Sequence, residues 1–145
     1  YSRKYCFLFC LHFFRNNLIC KSLNKIILCS QQDCRSKGGF LAADDSSEKH
    51  DFIRQFLSQH IEGFYLGSDD FAFEGQWRWL ETGMPVSPFT AWGTGMPQGQ
   101  MNHNCMQVAL ESNEAIWIDA DCNMRHHYIC GKHLIHLELW HMHFI

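Results

Sequence analysis

Proline is scarce and confined: the chain's three prolines, Pro85, Pro88 and Pro97, all fall within residues 82–104. That stretch has neither a helical nor an alternating repeat, and loops so long inside a compact domain are uncommon and usually functional. Other absences exclude whole classes of activity. There is no Gly-x-Ser-x-Gly elbow, no His-Glu-x-x-His pair and no glycine-rich phosphate cradle, so no motif argues for an enzyme. Asp119 and Asp121 lie near each other, but two carboxylates without a cleft are no acid–base pair. No apolar run approaches the roughly 20 residues of a membrane span. Nor is there a basic, aromatic-laced face of the kind that binds nucleic acid.

What is present belongs to a globular, oxidised protein. The 145 residues are 46% apolar with five tryptophans, enough for one domain with a sizeable core. Eight cysteines in so short a chain favour an oxidising compartment. Charge is divided unevenly. Residues 1–30 hold Arg3, Lys4, Arg15, Lys21 and Lys25 and no acid, whereas 31–145 hold the other seven basic groups against fifteen acidic ones. The basic start and the apolar residues 5–14 have the outline of a secretory signal, although no small-x-small cleavage site follows. Residues 1–30 are therefore expected to be a leader outside the domain, a degenerate signal or an artefact of the gene model. The domain is expected at 31–132, with a tail at 133–145.

Along the chain, Gly38-Gly39 should break a helix, because glycine adopts positive φ without steric cost. Phe52, Ile53, Phe56, Leu57 and Ile61 recur at helical spacing and predict an amphipathic helix over 46–60. Asp45 should cap it, with Glu48 three residues on. Strands are expected at 62–68, 105–110, 115–119 and 128–130, with a turn at Ser112-Asn113.

Read in order, Phe64-Tyr65-Leu66-Gly67, Glu74-Gly75-Gln76-Trp77-Arg78-Trp79, Trp92, Met96-Pro97-Gln98, Cys105, Trp117-Ile118-Asp119-Ala120-Asp121-Cys122 and Tyr128-Ile129-Cys130 resemble the C-type lectin-like domain. The resemblance is to the invertebrate kind, with the amino-terminal part missing or replaced. It implies an α+β fold: a small antiparallel sheet, one clear helix after a truncated first one, a long loop region and two disulfides, Cys34–Cys130 and Cys105–Cys122. It implies a secreted or extracellular recognition module, most often for sugars through calcium. Trp77, Trp79, Trp92 and Trp117 fall on family positions that pack beneath the loops.

The residues the family uses for calcium are mostly replaced. The loop tripeptide is Met96-Pro97-Gln98, the acidic position two before Cys105 is His103, and the Asn-Asp pair is Ile118-Asp119. Calcium takes about six to eight oxygen ligands; a thioether, an imidazole and an isoleucine supply none. Gln98, Asn102 and Asp119 remain as a degenerate ligand-binding set. Asp70, Glu74 and Asn104 fall on a second family site and would hold a metal weakly at most. Histidines are abundant towards the end, at His126-His127, His133, His136, His141 and His143, but no matched Cys or carboxylate set accompanies them. The expectation is a lectin-like domain without a cofactor, or with weak calcium, whose partner is a glycan. The alternatives are calcium-independent recognition of an extracellular protein, or a non-functional gene fragment.

Overall fold

The computed structural model describes residues 9–14, 17–21 and 27–132, the first two segments by backbone alone. Helix α1 (Ile27–Ser36) ends where Gly38, at φ +75°, turns the chain back. The N–H groups of Gly38 and Gly39 return to the carbonyls of Arg35 and Cys34 at 3.0 and 2.9 Å, so the expected glycine stop is a true C-terminal cap. Strand β3 (Phe40–Leu41) then leads into α2 (Ser47–Leu57), and β4 (Phe64–Asp69) follows. A short β5 (Arg78–Trp79) precedes the long loop. β6 (Cys105–Glu111), β7 (Glu114–Ala120) and β8 (His127–Gly131) complete the domain.

The sheet runs β1-β2-β8-β4-β6-β7, where β1 is Phe9–Phe14 and β2 is Asn17–Lys21. All its pairs are antiparallel except β4 with β8, which is parallel. The β6–β7 hairpin turns at Ser112 and Asn113 with φ of +50° and +66°, the two left-handed residues that match strand twist. β4 is central and buried on both faces. At Gly67 a Cβ would stand 2.4 Å from the Leu41 carbonyl oxygen, so only glycine lets β4 approach the β3 segment this closely.

The helix predicted over 46–60 is α2, but its cap is not Asp45. Ser46 sits at the N-cap with extended backbone, and its hydroxyl accepts the Lys49 N–H at 3.3 Å. Asp45, one position too early to cap, instead pairs with Lys49 Nζ at 2.6 Å. The first helix, expected to be truncated, extends over ten residues. The stretch read as a leader holds β1 and β2, and β2 pairs with β8 at Cys20↔Cys130 and Lys21↔Ile129. An apolar run of that length suits a strand as well as a signal core, and periodicity alone does not separate the two. The expected tail, 133–145, with four of the histidines, lies outside the described residues.

Both disulfides pair as the family resemblance implies. Cys34–Cys130 joins α1 to β8 across 96 residues, and Cys105–Cys122 joins β6 to the segment after β7 across 17. In a chain-entropy treatment closures of about these lengths contribute on the order of 3–5 kcal/mol each. Beside the first, buried Asp33 accepts the Tyr128 hydroxyl at 2.5 Å and pairs with Lys37. One core packs Ile53, Phe56 and Leu57 of α2 against Phe64, Leu66, Met106, Val108, Trp117 and Ile129 of the sheet.

Candidate functional site

The long loop is anchored on a stack of indoles. Trp77, Trp79 and Trp117 are buried. Trp92 meets Trp77 and Trp117 edge-on, with centroids 4.9 and 5.6 Å away, and Trp79 meets Trp117 likewise at 5.8 Å. The backbone clips the loop to β7 at the same point. Trp117 N–H donates to the Ala91 carbonyl at 2.8 Å, and Gly93 N–H to the Trp117 carbonyl at 3.0 Å. These rings are core, as their sequence positions suggested, and they fix where residues 94–100 emerge.

Beyond that anchor the Met96–Pro97 peptide is cis, and the following backbone turns onto Asp119. Asp119 is nearly inaccessible, with a side chain 0% exposed. Its Oδ1 accepts the Gln98 N–H at 2.9 Å and its Oδ2 the Gly99 N–H at 3.1 Å. The Gln98 amide oxygen in turn accepts from Gln100 Nε2 at 2.7 Å. His103 Nδ1 lies 4.0 Å from Asp119 Oδ2 and, although buried, has no hydrogen-bond partner. Gln98 and Asp119 thus lie together, each hydrogen-bonded within the loop itself.

The remaining predicted residues divide. Asp70 is buried, accepts the Gly75 N–H at 2.8 Å through Oδ2, and keeps Oδ1 buried without a partner. Its own N–H donates to the Asn104 carbonyl at 3.3 Å, which brings Asp70 and Asn104 side by side. Glu74 is exposed, and its Oε1 faces Gly99 of the long loop, 3.5 Å from where a Cβ would stand. Asn102 stands apart from Asp119 contacts, at the edge of a small pocket of about 220 Å³ with Leu28, Phe71, Met101, Asn104 and Asn123. Among the described residues, no group of three or more His, Cys, Asp or Glu is placed to hold a metal ion.

The model of the Lectin C-type domain family matches residues 24–132. The chain belongs to the C-type lectin domain family. Domains of this family are recognition modules, not enzymes. Perlucin of Haliotis laevigata is 30% identical over 106 residues, covering 70% of this chain and 66% of that protein. The first curated relatives are spanned over only about half to two thirds of their own lengths. A calcium-independent type II antifreeze protein superposes with a TM-score of 0.75 at 23% identity, covering 88% of this chain and 97% of that one. The C-type lectin domain of murine dendritic cell inhibitory receptor 2, solved with an N-glycan, gives 0.69 at 23% identity over 85% and 95%.

As a C-type lectin domain, the chain carries one constellation that reading by motif missed. Asp44, 0% exposed, accepts the Trp117 indole N–H at 2.7 Å through Oδ2. The same oxygen lies 2.7 Å from His50 Nδ1. Asp44 sits in a short link after Ala42-Ala43, where an aspartate reads as loop polarity, and its partner on β7 is 73 residues away. The nearest signal was the capping pattern, which drew attention to Asp45 instead. Among the described residues, no helix is long and apolar enough to cross a membrane.

Proposed function

We propose that this domain recognises an extracellular ligand through its long loop and does so without calcium as a bridge. The observation that carries this reading is the state of Asp119: both carboxylate oxygens are engaged by the N–H groups of Gln98 and Gly99. An ion there would have to displace two backbone donors and find its other oxygens among Met96, His103 and Ile118. The loop is instead closed by protein hydrogen bonds that hold its shape unaided. The same fold occurs in a protein described as calcium-independent, so the architecture itself does not demand the ion. Asp70, with one buried oxygen unpartnered, leaves room for weak calcium at the second site.

A glycan is the first ligand class to test. Family membership supports it, as does the N-glycan seen with the related murine domain. Gln98, Asn102 and Glu74 offer neutral and acidic oxygens around the loop for hydroxyl groups. A protein ligand is the second class, supported by the apolar exposure of Phe71 and Met101, which line the same pocket as Asn102. A glycan array probed in calcium and again in chelator separates the readings. Binding that survives chelator supports calcium-free glycan recognition. Binding lost in chelator overturns calcium-free recognition, and no binding in either condition moves the protein ligand to first place.

A further inference from the structure

We propose that Asp44 and His50 are positioning residues of the long loop, a buried carboxylate and a half-buried imidazole that together clamp Trp117 and Phe89 and, through them, residues 91–93. The geometry gathers three elements at one oxygen. Asp44 comes from the β3–α2 link, His50 from the end of the first turn of α2, and Trp117 from the middle of β7, and the last two meet Asp44 Oδ2 at 2.7 Å each. The loop closes the cluster: the Phe89 ring lies 5.4 Å from the His50 ring and 5.7 Å from the Trp117 indole. Trp117 passes the constraint on, because its backbone binds both Ala91 and Gly93.

Charge makes the clamp conditional. A carboxylate with no exposure must be compensated, and its Oδ1 has no hydrogen-bond partner, so Oδ2 carries the stabilisation. The hydrogen bond from Asp44 raises the His50 pKa above the ordinary histidine value, against the lowering effect of burial, with Asp44 charge, the Ala115 backbone and Asp51 adding to the rise. Asp45 is paired with Lys49. β7 presents Ala115 and Trp117 to the ring and the loop presents Phe89, none of them titratable. A histidine raised on folding contributes stability that is complete below its unfolded value of about 6.5 and is lost as pH climbs through the folded value. The clamp is therefore closed below the ordinary histidine value and loosens as pH climbs through the raised one.

Its bearing on ligand binding rests on the long loop being the recognition surface; the titration does not, and so is read without ligand. Proton and nitrogen NMR of the full chain, from about pH 5 to pH 9 to bracket the histidine value, follows the His50 ring, the Trp117 indole N–H and the Gly93 amide. All three are expected to shift with one midpoint above the ordinary histidine value, while the Trp77 indole, which does not touch Asp44, stays fixed. In His50→Gln, which keeps a donor but cannot titrate, the Trp117 and Gly93 shifts should vanish and the melting temperature should lose its alkaline decline. A His50 midpoint at or below the ordinary value, or Trp117 and Gly93 signals that ignore it, overturns the proposal. So does their persistence in His50→Gln. Should that variant fail to fold, the unmodified chain's titration decides alone.

Discussion

Trp117 does two jobs with one side chain, and they can be weighed separately. Its ring is fully buried among Trp79, Trp92 and Phe89, and its Nε1–H answers the buried Asp44. Trp117→Ala empties the centre of the core and should cost about 3–5 kcal/mol, comparable to the whole stability of a small domain. Trp117→Phe keeps most of the apolar ring but leaves Asp44 with one donor fewer, and is expected to cost about 1–3 kcal/mol. Denaturant unfolding of both variants checks the ranking, and a Trp117→Phe protein as stable as the parent would show that the indole hydrogen bond contributes nothing. The ring's burial was legible in the sequence, because Trp117 falls on a family position that packs beneath the loops and large aromatic rings are mostly core material. The Asp44 contact was not, since a hydrogen bond across 73 residues leaves no local spacing to read.

Helix α2 shows how a correct element can hide a mistaken cause. Its apolar face was legible from Phe52, Ile53, Phe56 and Leu57, and Ile53, Phe56 and Leu57 are buried as that spacing requires, whereas Ile61, read onto the same face, lies beyond the helix end at Leu57 and is fully exposed. Two adjacent residues, Asp45 and Ser46, both suit an N-cap, and only the backbone decides: Ser46 takes the extended conformation and accepts the Lys49 N–H. Ser46→Ala should therefore cost about 1 kcal/mol. Asp45→Ala removes only a partly exposed pair with Lys49, worth no more than about 0.5 kcal/mol. Thermal melts of the two single variants test this, and the reverse order would return the cap to Asp45. The β1 and β2 strands failed to register for a different reason. Residues 5–14 are apolar without alternation, a pattern shared by buried strands and secretory signals. What distinguishes them is the pairing of β2 with β8, a long-range fact.

At the scale of the molecule, recognition of the family rested on residues whose physical roles are unlike: cysteines that close loops, tryptophans that fill the core and glycines that permit close approach. Those roles survive at low identity because each tolerates few substitutes, whereas ion ligands can be exchanged without loss of the fold. That asymmetry leads to a test on the whole domain. A ligand that binds only the folded state adds about 2.7 kcal/mol at a hundredfold excess over its Kd. A full calcium site of extracellular strength, with Kd of roughly a tenth of a millimolar to a millimolar, would at several millimolar calcium raise the melting temperature by several degrees. Here Asp119 is engaged by Gln98 and Gly99, the Gln98 amide oxygen accepts from Gln100, and His103 brings nitrogen where oxygen is needed. At the second site, Asp70 keeps one carboxylate oxygen without a hydrogen-bond partner. Melting curves in calcium and in chelator should therefore agree to within about a degree. A larger rise that disappears in Asp70→Asn would assign calcium to the second site and leave the long loop ion-free. A rise that instead disappears in Asp119→Asn would mean that calcium displaces the Gln98 and Gly99 donors, and recognition bridged by the ion would become the leading reading.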